Sequence, residues 1–208
     1  MIPALAAYAM PADLSLHPFQ IREIRGPSVL QIRRAVLRHG GEAAWEDLLA
    51  QVSEPCRQRF LQPMSLYEWV EEALFTELSL AYMSWSHRDD AFKSGQAAAR
   101  EELTTLHRWM LNMMTPDFLI NNMPRLFAHY IRGAVMGVDE LSPGHAHLTL
   151  LSQGMYPEWY HLGITGWLQA ALELTGANGV VVDYENTKPE GAEGAEAFRH
   201  CYRLEWKA

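Results

Sequence analysis

A chain of 208 residues that is 49% hydrophobic, 11% aromatic and 20% charged is long enough to bury about 70% of its unfolded surface, which excludes a wholly disordered or collagen-like protein. Lys and Arg number 17 against 25 Asp and Glu, a formal net charge of -8, so a general affinity for nucleic-acid phosphates or anionic lipid is disfavoured. The 2 cysteines, Cys56 and Cys201, lack C-x-x-C spacing, which points to a reducing compartment, the cytoplasm, and away from a structural zinc site.

Residues 1–10 are apolar, but no Lys or Arg precedes them and Pro3 and Pro11 break the run. Neither a signal peptide nor a membrane span fits. Residues 1–18 therefore read as an arm. Residues 19–208 read as a single domain, helical over 27–127 and sheet-containing over 128–208. The alternation in 19–24 predicts a short strand, and Pro27 then opens a helix that stops at Gly40-Gly41 before a shorter helix through Trp45 and Leu49. Ser65-Leu66-Tyr67-Glu68 has the capping-box pattern and predicts a helix running directly from it to about Trp85. Helices follow over about 89–113 and after Pro116.

From His129 the texture becomes β-branched, aromatic and small. The segment 130–140, the turn Ser142-Pro143-Gly144 and the segment 145–151 predict a hairpin. A helix follows over 157–176, burying Trp159, Leu162, Gly163, Gly166, Trp167, Ala170 and Leu174. Two strands, 179–184 and 198–206, close the chain. Strands joined by short turns, without βαβ alternation, predict an α+β domain: a helical part packed on an antiparallel sheet of about four strands.

The chemical signatures are sparse. No Gly-rich phosphate loop, H-E-x-x-H or G-x-S-x-G motif is present, which lowers the expectation of an enzyme. His145 and His147 point to one face of a predicted strand at a spacing able to ligate one metal, with His161, His129 or His200 as a third ligand, or they are ordinary surface histidines. The pairs Glu71-Glu72, Asp89-Asp90 and Glu101-Glu102 diverge on predicted helices and read as solvated faces. Arg57 and Arg59 beside Cys56 would depress its thiol pKa, yet no partner base accompanies it.

The concentration of Trp109, Met110, Met113, Met114, Phe118, Leu119, Ile120 and Met123 around one helix break, followed by Met155, Tyr156, Trp159 and Tyr160, is the least ordinary feature. Such side chains line adaptable apolar pockets and equally fill cores. The best candidates for a pocket are Trp109, Met113, Met114, Phe118, Leu150, Tyr156 and Tyr160.

Several runs resemble, in order and spacing, the heme-nitric-oxide/oxygen-binding (H-NOX) sensor domain: Arg108 through Phe118, the extended segment 130–141, the strand 147–154, the helix 155–166 and the closing Tyr202-Arg-Leu-Glu-Trp206. Gly40-Gly-Glu-Ala-Ala-Trp-Glu-Asp-Leu-Leu49 is similar to the helical start of that domain. The same architecture recurs in 4-vinyl-reductase-type domains and TRAPP-like subunits, which bind aromatic or acyl molecules or pair through helical faces. The resemblance would place the iron-binding histidine near Phe118 and the Tyr-x-Ser-x-Arg propionate clamp on Leu150, Ser152 and Gly154. Only the serine is kept, which implies a domain with no heme cofactor.

The resemblance thus implies a non-catalytic sensory or scaffolding domain that binds an apolar small molecule or a protein partner. Two other readings stand beside it. One is a homodimeric adaptor with a filled core, and the other is a metal-dependent enzyme using His145 and His147.

Overall fold

The computed structural model describes residues 22–86, 88–105, 114–153, 158–187 and 197–207. Strand β1 (Glu23–Arg25) runs straight into helix α1 (Gly26–Leu49), followed by α2 (Glu54–Leu61), β2 (Trp69–Glu71), α3 (Glu72–Trp85) and α4 (Arg88–Thr105). The second half holds α5 (Pro116–Ala128), β3 (Ile131–Arg132), β4 (Ala134–Ser142), β5 (His145–Gln153), α6 (Glu158–Leu174), β6 (Asn178–Thr187) and β7 (Ala197–Lys207). The domain is α+β, as the pattern of periods predicts.

Both hairpins form. They join into a four-stranded antiparallel sheet of order β4-β5-β7-β6, with Leu148 opposite Tyr202 and Leu150 opposite His200. Ala146, Leu148 and Leu150 are fully buried, because residues two apart share a face of a strand and this face is covered. A bulge lies between Val138 and Glu140.

Helix α1 contains the break expected at the glycine pair. Gly41 sits at φ 70, ψ -168, a left-handed φ, between two helical stretches. Glycine adopts that conformation without steric cost, so the chain turns there and Trp45, Leu48 and Leu49 reach the core.

Residues 65–71 correct the sequence reading. Ser65 N–H donates to Glu68 Oε2 at 3.2 Å and Tyr67 N–H to Ser65 Oγ at 3.2 Å, so the capping-box side chains do meet. They close a turn that leads into β2 instead of a helix. Val70 pairs with Ile24, and Ile24 also pairs with Ile131, so β1 is the middle strand of a second, three-stranded sheet of order β2-β1-β3. Backbone pairing with distant strands overrides the local helix signal there, and α3 starts only at Glu72. Strand β1 at Glu23–Arg25 overlaps the end of the expected 19–24 segment, whose residues 19–21 lie outside the described residues. Glu72 is no solvated acid: it is buried and held by Arg22, whose Nε donates to Glu72 Oε2 at 2.7 Å.

Helix α5 begins as its sequence dictates. Thr115 caps it by accepting from the Phe118 N–H at 3.2 Å, and Pro116 follows. Leu119, Ile120, Met123 and Leu126 form its buried stripe while Phe118 faces outward. Helix α6 buries more of its circumference than predicted. Tyr160, His161, Thr165, Leu168, Ala171 and Leu172 are buried along with Trp159, Gly166 and Ala170, because it lies between α4 and the large sheet.

Helices α4 and α6 pack backbone to backbone. A Cβ on Gly95 would fall well inside contact distance of the Gly163 carbonyl oxygen, and one on Gly166 would meet the Phe92 carbonyl in the same way. Small residues at this crossing let the two helices approach closely, which draws the α6 aromatic side chains over α4.

Candidate functional site

A cavity of about 160 Å³ lies where the helical part meets α6 and the start of the large sheet. Its walls come from Ser28, Gln31 and Ile32 of α1, Phe75 and Tyr82 of α3, and Ala91, Ser94, Gly95, Ala98 and Glu102 of α4. The opposite side is closed by Met123, Leu126 and Phe127 of α5, by Tyr130, Ile131 and Met136, and by Trp159, Tyr160, Gly163, Ile164, Trp167 and Leu168 of α6. Among the described residues, seven aromatic rings line it. Phe75 packs at 6.0 Å from the Trp159 ring and 6.3 Å, edge-on, from Tyr160. An apolar cavity of about 150 Å³ in a protein core is known to hold benzene, so the space here matches one aromatic ring.

One charged side chain lies in this wall among the described residues. Glu102 accepts from Gln31 Nε2 at 3.1 Å and from Trp167 Nε1 at 3.1 Å, and the Tyr130 phenol lies near enough to affect its titration. Burial pushes its carboxyl up from 4.5 to about 7; the Trp167 bond and the Tyr130 hydroxyl oppose the shift, Glu101 adds to it and Arg34 reduces it. Glu102 makes no ion pair with any described residue. Arg34 is engaged instead by Glu101. Burial, together with the Glu102 charge, likewise drives the Tyr130 phenol upward. On the far side, the Trp159 Nε1 donor is buried with no described hydrogen-bond acceptor.

The sequence predicts a solvated Glu101-Glu102 pair, and the structure divides them: Glu101 is exposed and Glu102 is 8% exposed. A signal was available. Ala91, Gly95, Ala98 and Glu102 recur at helical spacing, which puts the acid on the apolar stripe.

Of the residues singled out for a pocket, Tyr160 is in the cavity wall. Met114 and Leu150 are buried in the core, and Phe118 is 39% exposed on the outer side of α5. None of these three belongs to the wall. Trp109, Met113 and Tyr156 lie outside the described residues. Pattern found the right helix in α6, but Phe75, Tyr82, Met136 and Glu102 reach the cavity through tertiary packing.

The histidines divide by environment. His145 and His147 share a face with ring centroids 4.6 Å apart, and the Glu140 carboxylate is 3.8 Å from one and 3.9 Å from the other. His161 on α6 and His200 on β7 are instead buried, their ring centroids 4.3 Å apart. His161 Nδ1 hydrogen-bonds the Tyr202 hydroxyl at 2.6 Å and its ring stacks on Tyr184 at 4.0 Å. His200 bonds Tyr184 at 3.2 Å and Ser152 at 3.4 Å, and burial lowers its pKa to about 4. Among the described residues no group of three His, Cys, Asp or Glu side chains is arranged to hold a metal ion. Cys56 also departs from expectation. Burial and the Glu77 carboxylate raise its thiol to about 12, the opposite of the depression expected from Arg57 and Arg59.

The layered arrangement defines an α+β domain with its cavity between a helical part and an antiparallel sheet. No family model matches the chain, and no curated protein matches it. Solved structures do. An oxygen-binding H-NOX domain related to soluble guanylate cyclases, in its oxygen complex, is similar with a TM-score of 0.63, 9% identity, and coverage of 89% of this chain and 96% of that one. An unliganded Fe(II) H-NOX protein from K. algicida matches at 0.62 with 9% identity, covering 89% and 97%. A Cs H-NOX variant matches at 0.59 with 12% identity, covering 89% and 97%. The chain has the H-NOX fold.

That fold implies a heme, which requires an axial ligand to iron and polar partners for its propionates. Among the described residues, the cavity wall carries no histidine, cysteine, lysine or arginine, and its charged group is an acid. The Tyr130 phenol is held protonated by burial and by Glu102. Ser152, the retained clamp position, is buried in the sheet beside His200, and Phe118 points away. The described residues do not fit a heme. No helix among them is long and apolar enough to cross a membrane.

Proposed function

We propose that this protein is a heme-free sensory domain that binds a small, largely apolar molecule, one aromatic ring in size, in the cavity between α4, α5 and α6. The observation that carries this reading is the cavity itself, with its volume of about 160 Å³ and its seven aromatic rings. Apolar pockets with a few convergent polar groups are the usual form of a small-molecule site. The residues assigned to binding are Phe75, Tyr82, Glu102, Trp159, Tyr160 and Trp167, with Tyr160 the one kept from the sequence-based set. The role is recognition without catalysis, in keeping with neighbours that include an oxygen-binding domain.

Thermal unfolding tests the binding. A single-ring ligand at about 100 times its Kd should add about 2.7 kcal/mol, a rise of roughly 5–10 °C for a chain of this length. Absence of any shift across a panel of single-ring compounds would remove the proposal. Hemin titration tests the other half. The spectrum should remain that of free hemin, and stoichiometric uptake with a shifted Soret band would overturn the heme-free assignment.

A further inference from the structure

Glu102 raises a question that ligand size does not answer. It is a carboxyl group 8% exposed, in a wall otherwise made of aromatic, aliphatic and small uncharged side chains, and its hydrogen-bond partners Gln31 and Trp167 are both neutral donors. A buried ionised carboxylate is retained when a positive charge accompanies it, and it otherwise takes up a proton. The groups facing it are Gln31 and Arg34 from α1, its neighbour Glu101 on α4, Tyr130 from the turn before β3, and Trp167 from α6. The one cation among them, Arg34, is paired with Glu101, so no described side chain neutralises Glu102.

Two further features agree. A carboxylate has about four lone-pair sites, and the two neutral donors, with the Tyr130 phenol near them, leave room for a further hydrogen bond. Aromatic rings of the kind that line the cavity also attract a cation, an interaction that strengthens when water is excluded.

We propose that the cavity ligand is a protonated arylalkylamine, whose ring fills the aromatic space and whose ammonium group forms the missing ion pair with Glu102. The assignment rests on the cavity-binding reading above and specifies its chemistry. A neutral ring compound would leave Glu102 as it is, and an arylcarboxylate would bring a second negative charge against it.

Isothermal titration of the full chain with benzylamine, benzyl alcohol and benzoate, at about pH 8, separates these cases. Benzylamine should bind at least about tenfold more tightly than benzyl alcohol, the scale of one charge-assisted bond, and benzoate should be weakest. Glu102→Gln should bring benzylamine and benzyl alcohol to similar affinities. In the unsubstituted protein the amine preference should shrink as the pH is lowered to about 5, because Glu102 takes up its proton, while alcohol binding stays constant. That second measurement holds even if the variant does not fold. Benzyl alcohol binding as tightly as benzylamine would overturn the amine assignment and leave the cavity site standing. Silence from all three compounds would overturn both.

Discussion

Gly95 of α4 lies so close to the Gly163 carbonyl of α6 that a single methyl group on Gly95 would drive into that oxygen. Gly163 itself faces easier surroundings, since a Cβ there would have its nearest neighbour, the Ala91 carbonyl oxygen, at 3.8 Å. The two substitutions should therefore have opposite signs. Gly95→Ala forces the helices apart and should cost about 1–3 kcal/mol. Gly163→Ala gains helix propensity without a clash and should stabilise by about 0.5–1 kcal/mol. Urea denaturation of both variants checks the pair.

Phe75 packs against the Trp159 and Tyr160 rings in the cavity wall. Phe75→Ala should cost about 3–5 kcal/mol, as for a buried aromatic, and should enlarge the site. The variant should then gain stability from a fused two-ring compound such as naphthalene, to which the original chain is indifferent. Thermal shift with one-ring and two-ring compounds on both proteins tests this.

Glu102 makes stability fall as pH rises. Its carboxyl titrates at about 7 in the folded protein against 4.5 ordinarily, so between those values the unfolded chain gives up a proton that the fold retains. The contribution is fully present below about 4.5 and is lost as the pH climbs through 7. Glu102→Gln does not titrate. The stability difference, variant minus original, should therefore grow by an amount on the order of 3 kcal/mol across that window and level off above it. A flat difference would contradict the buried acid.

His200 acts at the other end. Burial lowers it from 6.5 to about 4, so the unfolded chain binds a proton before the folded one does. Its contribution is present above pH 6.5 and is lost as the pH falls towards 4. The His200 ring proton resonances, followed by NMR, should show no titration between pH 7 and about 5 while the fold persists.

Much of this fold is readable from the sequence. Helix α6 and the hairpin strands keep their period over many residues, and Thr115-Pro116 announces the start of α5 chemically. Trp69–Glu71 was not readable, because its neighbours spell a helix start and its strand partner, β1, is far away in the chain. The site was legible only in part. Tyr160 and the α6 face follow from spacing, whereas Glu102 is hidden by its exposed neighbour Glu101. Phe75 joins the wall through helix packing that no local window contains.

The small β2-β1-β3 sheet has a kinetic consequence. Arg132 and Glu23, ion-paired across its β1–β3 edge, are 109 residues apart in the chain, whereas the β4–β5 hairpin closes through a two-residue turn. Closing so long a loop is entropically slow and comes after local pairing, so these strands should zip together only after the rate-limiting barrier. Ile24→Val should therefore accelerate unfolding and leave the refolding rate almost unchanged in stopped-flow measurements. A slowed refolding arm would place this patch in the nucleus instead.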